Sequence, residues 1–333
     1  NMSNILFQNA LKRISQKTPP IWFMRQAGRY HQHYRKLKEK YTFEELCKNP
    51  DLASEVACGP IKEFDYDLAI LFSDILFILE GLGLKLAFNP GPVFENHINS
   101  KNFHLYNDLE KAIHHMKFQE KALKLTREKL PNSKSLIGFV GGIWTLLKFA
   151  INYKKDNFEI EDFHINFMSK TLLPLIKQNI QLQLNAGAEV VMIFDSSLGS
   201  LKNDIFINNY FNLILNLSNS FPGKIGYYIK GKTYSDIKFL FTLPLAGIGI
   251  DKDVNILDVI KNYKQGFVQG NFDEKKMLLE ENELKKELEL YCNKMESIDN
   301  KTGWICSLGH GIDRMTPEKN VHLFIESIRK KFS

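Results

Sequence analysis

The sequence predicts a single (β/α)8 barrel, and three observations predict it. Eight short apolar runs recur along the 333 residues and alternate with amphipathic helical stretches. No Ser-, Gly- or Pro-rich linker divides them into separate domains. Nearly every run ends in a polar or charged residue, which is where a parallel barrel gathers its functional groups. The expected unit is one α/β catalytic domain over residues 1–333, with residues 1–17 as an N-terminal extension. Asn1, ahead of Met2, reads as an added residue.

The runs are residues 20–25, 67–73, 135–141, 189–194, 224–229, 247–250, 266–269 and 304–308. They are continuous and often β-branched, as expected of parallel strands covered on both faces. Helical punctuation lies between them. Asp253 is placed to cap a helix that stops at Gly266, residues 185–187 close a long one, and Thr316 precedes Pro317 as a cap followed by a first-turn proline. Around Pro90, Gly91 and Pro92, residues 84–99 form a predicted hairpin insertion. Residues 274–294 interleave lysine and glutamate, the pattern of a solvated helix face.

Composition excludes several classes. With 44% hydrophobic and 25% charged residues, this is a soluble globular chain with a full core. Its most apolar region, residues 68–88, is interrupted by Asp74, Glu80 and Lys85, so no segment there spans a membrane. Residues 3–17 lack the apolar core of a signal peptide. Cys47, Cys58, Cys292 and Cys306 are too few and too scattered for a disulfide framework, and a reducing cytoplasm is the expected compartment. A net charge of +6 without a basic, aromatic-laced tract argues against nucleic acid and suits an acidic small molecule.

The most informative stretch is PIWFMRQAGRY, residues 20–30. Apolar residues 21–24 end in Arg25, and Arg29 follows after Ala27 and Gly28. Two guanidiniums at a strand end, beside a glycine that lets the backbone approach a ligand, suggest an anion site. Spacing alone also allows two arginines paired with surface carboxylates. The other strand ends carry Asp74, Trp144, Asp195 with Ser196, Lys230, Asp251, Asn271 and His310. Together they describe one mouth, although Asp251 also suits a backbone cap and Asn271 a turn.

Asp74, between Leu71-Phe72 and Ile75-Leu76, costs on the order of several kcal/mol to bury unpaired. It is either bridged to Arg25 or Arg29, or a fixed charge that accepts ligand N–H groups and stabilises positive charge on the ligand. His310 lies between Gly309 and Gly311, as in a tight loop that brings an imidazole against a ligand.

The strings WFMRQAGRY, FSDIL, GFVGGIWTL, FDSSLG, GIGID, VQGNFD and LGHGI resemble, in order and spacing, the motifs of the uroporphyrinogen decarboxylase family, from about residue 20 to residue 328. The resemblance implies a cofactor-free (β/α)8 barrel with no metal, a cytoplasmic homodimer. It also implies loss of CO2 from the four acetate side chains of uroporphyrinogen III, giving coproporphyrinogen III in haem and porphyrin biosynthesis. It places Arg25, Gln26, Ala27, Gly28 and Arg29 on the substrate, with both arginines on carboxylates. Asp74 falls on the aspartate that holds the central pyrrole N–H groups, and Ser196 and His310 fall on further substrate contacts. Two positions depart from the pattern. Phe149 stands where the family's substrate-binding tyrosine is expected, with Tyr153 one turn onward, and Lys252 stands where tryptophan is common.

The chemistry agrees with these residue types. Decarboxylation at a saturated carbon leaves a carbanion that ordinarily calls for an electron-sink cofactor. A pyrrole acetate carries its own sink once the neighbouring ring carbon is protonated. The catalytic set is then Asp74 for the cationic ring, the arginines for carboxylates, and a proton donor left open between Arg25, His310 and a relayed water. A guanidinium is a poor acid, with a pKa above ~12, whereas free histidine titrates near ~6.5. Two rivals are a zinc-dependent methyltransferase of the same superfamily, for which Cys306 is the nearest ligand candidate, and a tetrapyrrole- or anion-binding barrel without turnover.

Overall fold

A computed structural model describes residues 2–154, 158–201, 204–298 and 302–333; Asn1 lies outside them. Seven parallel strands form one curled sheet in the order β1 (Leu68–Ile70), β4 (Ser135–Gly141), β5 (Val191–Phe194), β6 (Ile225–Tyr228), β7 (Gly247–Gly249), β8 (Phe267–Phe272) and β9 (Trp304–Leu308). The hairpin insertion is β2 (Leu86–Phe88) against β3 (Pro92–Phe94), antiparallel, with Phe88 opposite Pro92.

The expected first strand is the one correction to the barrel. Residues 20–25 make only an isolated parallel bridge, Ile21 to Cys306. They nonetheless join the two edges of the sheet. Cys306 N donates to Pro20 O at 2.9 Å on the β9 side, and Asp67 N donates to Ile21 O at 2.9 Å beside β1. Two features of the sequence keep this stave from pairing regularly. Pro20 has no amide hydrogen to contribute, and Arg25 turns the chain out of extended geometry at φ 63°. Side chains complete the seam: Asp67 Oδ2 accepts from Ile21 N at 2.7 Å, and Gln26 Nε2 donates to Leu68 O at 2.9 Å.

Alternation along the strands sorts the core into two layers. Trp22, Met24, Leu68, Ile70, Ile137, Met192, Tyr228, Phe267 and Ile305 fill the inside of the barrel, with Phe139 and Phe194 beside them. The larger layer lies between strands and helices and includes Ile193, Ile225 and Tyr227. The N-terminal residues are a plug rather than a loose extension. In the helix Ile5–Leu11, Phe7 and Ala10 are buried in the inner layer, and Phe7 meets the Phe267 ring at 6.2 Å.

Helix boundaries shift slightly from expectation. Asn255, not Asp253, caps the helix Ile256–Asn262, its Oδ1 accepting from Leu257 N at 3.2 Å, because the helix starts two residues later than Asp253 would require. The helix Leu173–Asn185 ends where residues 185–187 indicate. Pro317 is itself the cap of Glu318–Lys331, so Thr316 lies one position outside. The charged stretch divides into a short 3-10 turn, Glu274–Leu278, and the helix Glu281–Glu296.

Candidate active site

The C-terminal ends of the strands converge above an aromatic floor. Phe139 and Phe194 rings lie 5.5 Å apart, and Phe194 and Tyr228 lie 6.4 Å apart. At the rim, Arg25 holds a left-handed backbone that costs a non-glycine residue about 1–2 kcal/mol. Gly311 makes room for its side chain, since a Cβ there would lie 2.6 Å from Arg25 Cδ. Arg25 and Arg29 are both exposed, and neither guanidinium forms an ion pair among the described residues. The alternative in which they pair with surface carboxylates is therefore not what the fold adopts.

Asp74 lies in the loop after β1, partly covered, with Oδ1 accepting from Leu76 N at 2.8 Å. No cation reaches it within ion-pair distance among the described residues, so of the two alternatives the bridge to Arg25 or Arg29 is not formed. Burial raises its pKa, opposed by the Leu76 amide and by the field of Arg25. Ser196 is half-buried just after β5. Lys230 is exposed after β6, where Gly231 N donating to Asp251 Oδ2 at 2.9 Å fixes the turn.

His310 follows β9. Its ring stacks on Tyr228 with centroids 6.0 Å and planes 17° apart. Tyr228 Oη donates to Gly309 O at 2.8 Å and lies 3.1 Å from His310 Nδ1. Burial, then Lys230 and Arg25, lower the imidazole to about 4, against a smaller opposing pull from Asp251. His310 is thus neutral at pH 7, with a far smaller protonated fraction than a free imidazole carries there.

Two other strand-end residues, Asp195 and Trp144, face away from the mouth. Asp195 is 0% exposed, and it lies between the barrel wall and the helices. Its Oδ1 accepts from Thr145 Oγ1 at 2.7 Å, and its Oδ2 accepts from Tyr210 and Tyr227 at 2.6 and 2.5 Å. Gly142 permits this approach, because a Cβ there would meet the Asp195 carboxyl carbon at 2.1 Å. Burial raises this carboxyl, and the phenols and Thr145 oppose the shift. Trp144 is also wholly buried, packed edge-on to Tyr153 and Phe158. Asp251 and Asn271 hold backbone: Asn271 Nδ2 donates to Asp251 O at 2.9 Å and Val254 O at 2.6 Å.

The family model described as uroporphyrinogen decarboxylase (URO-D) matches residues 2–331. The chain belongs to the uroporphyrinogen decarboxylase family. A uroporphyrinogen decarboxylase of Orientia tsutsugamushi (strain Ikeda) is 34% identical, with 100% of this chain and 99% of the relative covered. One of Campylobacter lari is 33% identical over 98% of this chain and 99% of the relative. Among solved structures, a methyltransferase from Methanosarcina mazei is similar in fold, with a TM-score of 0.82 at 16% identity, covering 99% of this chain and 100% of the other.

Of the decarboxylase-family positions expected on substrate, Arg25, Ala27, Gly28, Arg29, Asp74, Ser196 and His310 lie at the barrel mouth or its rim. Gln26 is the correction. It is 1% exposed, its Oε1 accepts from Phe23 N at 3.1 Å, and Nε2 donates to Leu68 O, so it closes the barrel seam. Phe149 is half-buried on the helix Ile143–Ala150 and packs on the outer core layer. The Tyr153 ring lies 4.8 Å from Phe158, with Lys148 Nζ 5.1 Å above its face. Lys252 pairs with Asp273 at 3.5 Å. Sequence reading missed Tyr228, although two adjacent tyrosines at a strand end must face opposite sides of the wall.

Proposed function

We propose that this chain removes CO2 from the four acetate side chains of uroporphyrinogen III to give coproporphyrinogen III, with Asp74, Arg25, Arg29, Ser196 and His310 as the groups that meet the substrate. As a member of the family it is a carboxy-lyase of porphyrin biosynthesis. The observation that carries the residue assignment is Asp74: a partly covered carboxylate at the mouth with no ion-pair partner among the described residues and one backbone donor.

Per acetate the balance is R–CH2–COO⁻ + H⁺ → R–CH3 + CO2. The bond to the carboxyl carbon breaks as electrons enter a ring protonated at the neighbouring carbon; the exocyclic methylene then takes a proton and the ring carbon releases its own, so one proton is consumed in all. Asp74 then accepts pyrrole N–H groups and stabilises the ring cation without having to reorganise. Arg25 and Arg29, which pair with no carboxylate among the described residues, bind substrate carboxylates, and Lys230 adds a third cation at the rim. The aromatic floor of Phe139, Phe194 and Tyr228 excludes water beneath the ring system and strengthens these interactions.

A methyltransferase reading finds less support. Zinc-dependent methyl transfer needs thiolates around an open metal position, whereas Cys306 is wholly buried in β9 with its thiol pushed well above its ordinary pKa by burial. The homodimeric state and cytoplasmic setting are part of the same proposal; among the described residues no helix is long and apolar enough to cross a membrane. The deciding experiment is incubation with uroporphyrinogen III and counting of product carboxyl groups. Loss of four is expected; tight binding with no CO2 released would overturn the assignment.

A further inference from the structure

Tyr228 carries one hydroxyl proton and faces two acceptor positions. Its oxygen is 2.8 Å from Gly309 O and 3.1 Å from His310 Nδ1. A carbonyl oxygen cannot donate, so the shorter contact uses the phenol's proton. What remains toward Nδ1 is a phenol lone pair, and that contact is a hydrogen bond only when Nδ1 carries hydrogen. We propose that Tyr228 is a positioning residue that holds His310 as the Nδ1–H tautomer, so that Nε2 offers a lone pair to a donor on the substrate.

Several observations support it. Ring stacking at 6.0 Å and 17° fixes the imidazole face, and Gly309 lies too close to Lys252 for the loop to shift freely: a Cβ at Gly309 would meet Lys252 N at 2.5 Å. Nε2 has no protein partner among the described residues and is not enclosed, so it is open to the mouth solvent. The charged groups that face the ring are Arg25 and Lys230, which disfavour imidazolium, and Asp251, which favours it more weakly. The ring is therefore neutral at pH 7, and its tautomer has functional meaning. The phenol does not escape the constraint by ionising, since burial, Asp251 and Glu274 raise its pKa far above neutrality. An unconstrained neutral histidine favours the opposite tautomer, so the preference is imposed by the fold.

The consequence is a division of labour. His310 accepts the proton that the substrate's ring carbon releases, or a hydrogen bond from a pyrrole N–H that Asp74 does not hold, rather than delivering a proton from the free protein. This rests on the placement of His310 in the site proposed above. The test is ¹⁵N-histidine labelling of the whole protein at pH 7, with the His310 resonances identified by their loss in His310→Gln. A protonated Nδ1 and a bare Nε2 are expected. Tyr228→Phe removes the acceptor while keeping the ring, and should move His310 toward the Nε2–H form. It should also lower kcat about tenfold, the cost of one neutral hydrogen bond, with KM changed less than about twofold. An Nε2–H or imidazolium His310 in the unmutated protein overturns the proposal, even if the variant fails to fold. So does a folded Tyr228→Phe with an unchanged tautomer. Added uroporphyrinogen III should shift the His310 Nε2 resonance. The expected tautomer with no such shift would overturn the Nε2–substrate contact and the placement of His310, while decarboxylation by the chain would stand or fall on the product count alone.

Discussion

Strand β1 has an aspartate at each end, and the protein treats them oppositely. At the closed end, Asp67 is 5% exposed and accepts from Ile21 N at 2.7 Å, Asn4 Nδ2 at 3.3 Å and Arg329 Nη2 at 3.4 Å. At the open end, Asp74 accepts only from Leu76 N among the described residues. Burial raises the pKa of both, but Arg329 compensates Asp67 at contact distance, while Arg25 acts on Asp74 only through its field. Glu189 repeats the closed-end pattern, binding Gln8 Nε2 at 2.7 Å, Ser135 Oγ at 3.1 Å and Leu136 N at 2.9 Å. Polar groups at the plugged end are satisfied by the chain itself. At the mouth, Asp74, Arg25 and Arg29 have no ion-pair partner among the described residues and are left for a ligand.

The largest expected effect sets these two aspartates against each other. Asp74→Asn keeps shape and an acceptor but removes charge, so kcat should fall about 10²-fold or more with the melting temperature little changed. Asp67→Asn should do the reverse. It disturbs buried donors at a cost of about 1–3 kcal/mol, while activity per folded molecule survives. Thermal melts and steady-state kinetics on both variants test the comparison. A stability loss in the first with normal kcat, or a kcat loss in the second without destabilisation, would dissolve the distinction.

Next in size are the arginines. Arg25→Lys and Arg29→Lys retain charge and lose the bidentate fork, so substrate affinity should fall by about tenfold, more steeply at high salt. Arg329→Lys, at the closed end, should affect stability rather than binding. Normal binding and turnover in both mouth variants would contradict the carboxylate assignment.

A third test uses protons. His31, His164 and His310 are all lowered to about 4, each first by burial. The unfolded chain binds protons at these rings below about pH 6.5 that the folded chain refuses until about pH 4. Their stabilisation is present above pH 6.5 and is lost as pH falls through that window. Asp67, Asp74 and Asp195 are raised, so they act in the other direction, favouring the fold as pH falls toward the ordinary carboxylate range. His310→Gln should therefore reduce proton uptake on unfolding, between pH 6.5 and 4, by about one. Denaturant melts across that range would show it, and an unchanged slope would mean His310 is not held neutral.

The barrel was legible because its strands are short apolar runs with polar ends, and β4 and β9 fall on their expected limits. The stave at residues 20–25 was legible as an element but not as an irregular one. Its pairing depends on Gln26 and Asp67, side chains whose partners lie 42 and 46 residues away. Asp74, Arg25 and Arg29 could be read from the sequence because charge after an apolar run is a local signal. The outward turn of Asp195 could not, because it depends on Tyr210, Tyr227 and Thr145 converging from three other elements. The low pKa of His310 likewise needs Lys230 and Arg25 to arrive from distant strand ends.

The smallest effect concerns Phe149, the ring that stands where the family pattern calls for a tyrosine. One missing neutral hydroxyl costs about 0.5–1.5 kcal/mol, which is roughly twofold to twelvefold in rate or affinity. Mouth charges such as Asp74 are expected to contribute far more, so the chain should be active as it stands. Phe149 is half-buried and packed on the outer core layer, so an added hydroxyl must reach the mouth without displacing that packing. Tyr153 is the other source of a phenol, but its ring is engaged with Trp144 at 5.6 Å and Phe158 at 4.8 Å. The two positions can be separated by measuring Phe149→Tyr and Tyr153→Phe on uroporphyrinogen III. If Phe149 marks a lost contact, Phe149→Tyr should raise kcat/KM severalfold and Tyr153→Phe should leave it unchanged. If Tyr153 supplies the contact, Tyr153→Phe should lower kcat/KM by a similar factor and Phe149→Tyr should gain nothing. With a charged partner such as a substrate carboxylate the gain could reach about a hundredfold; a rise well beyond that would exceed what one hydroxyl can contribute and would overturn the reading of Phe149 as one lost contact.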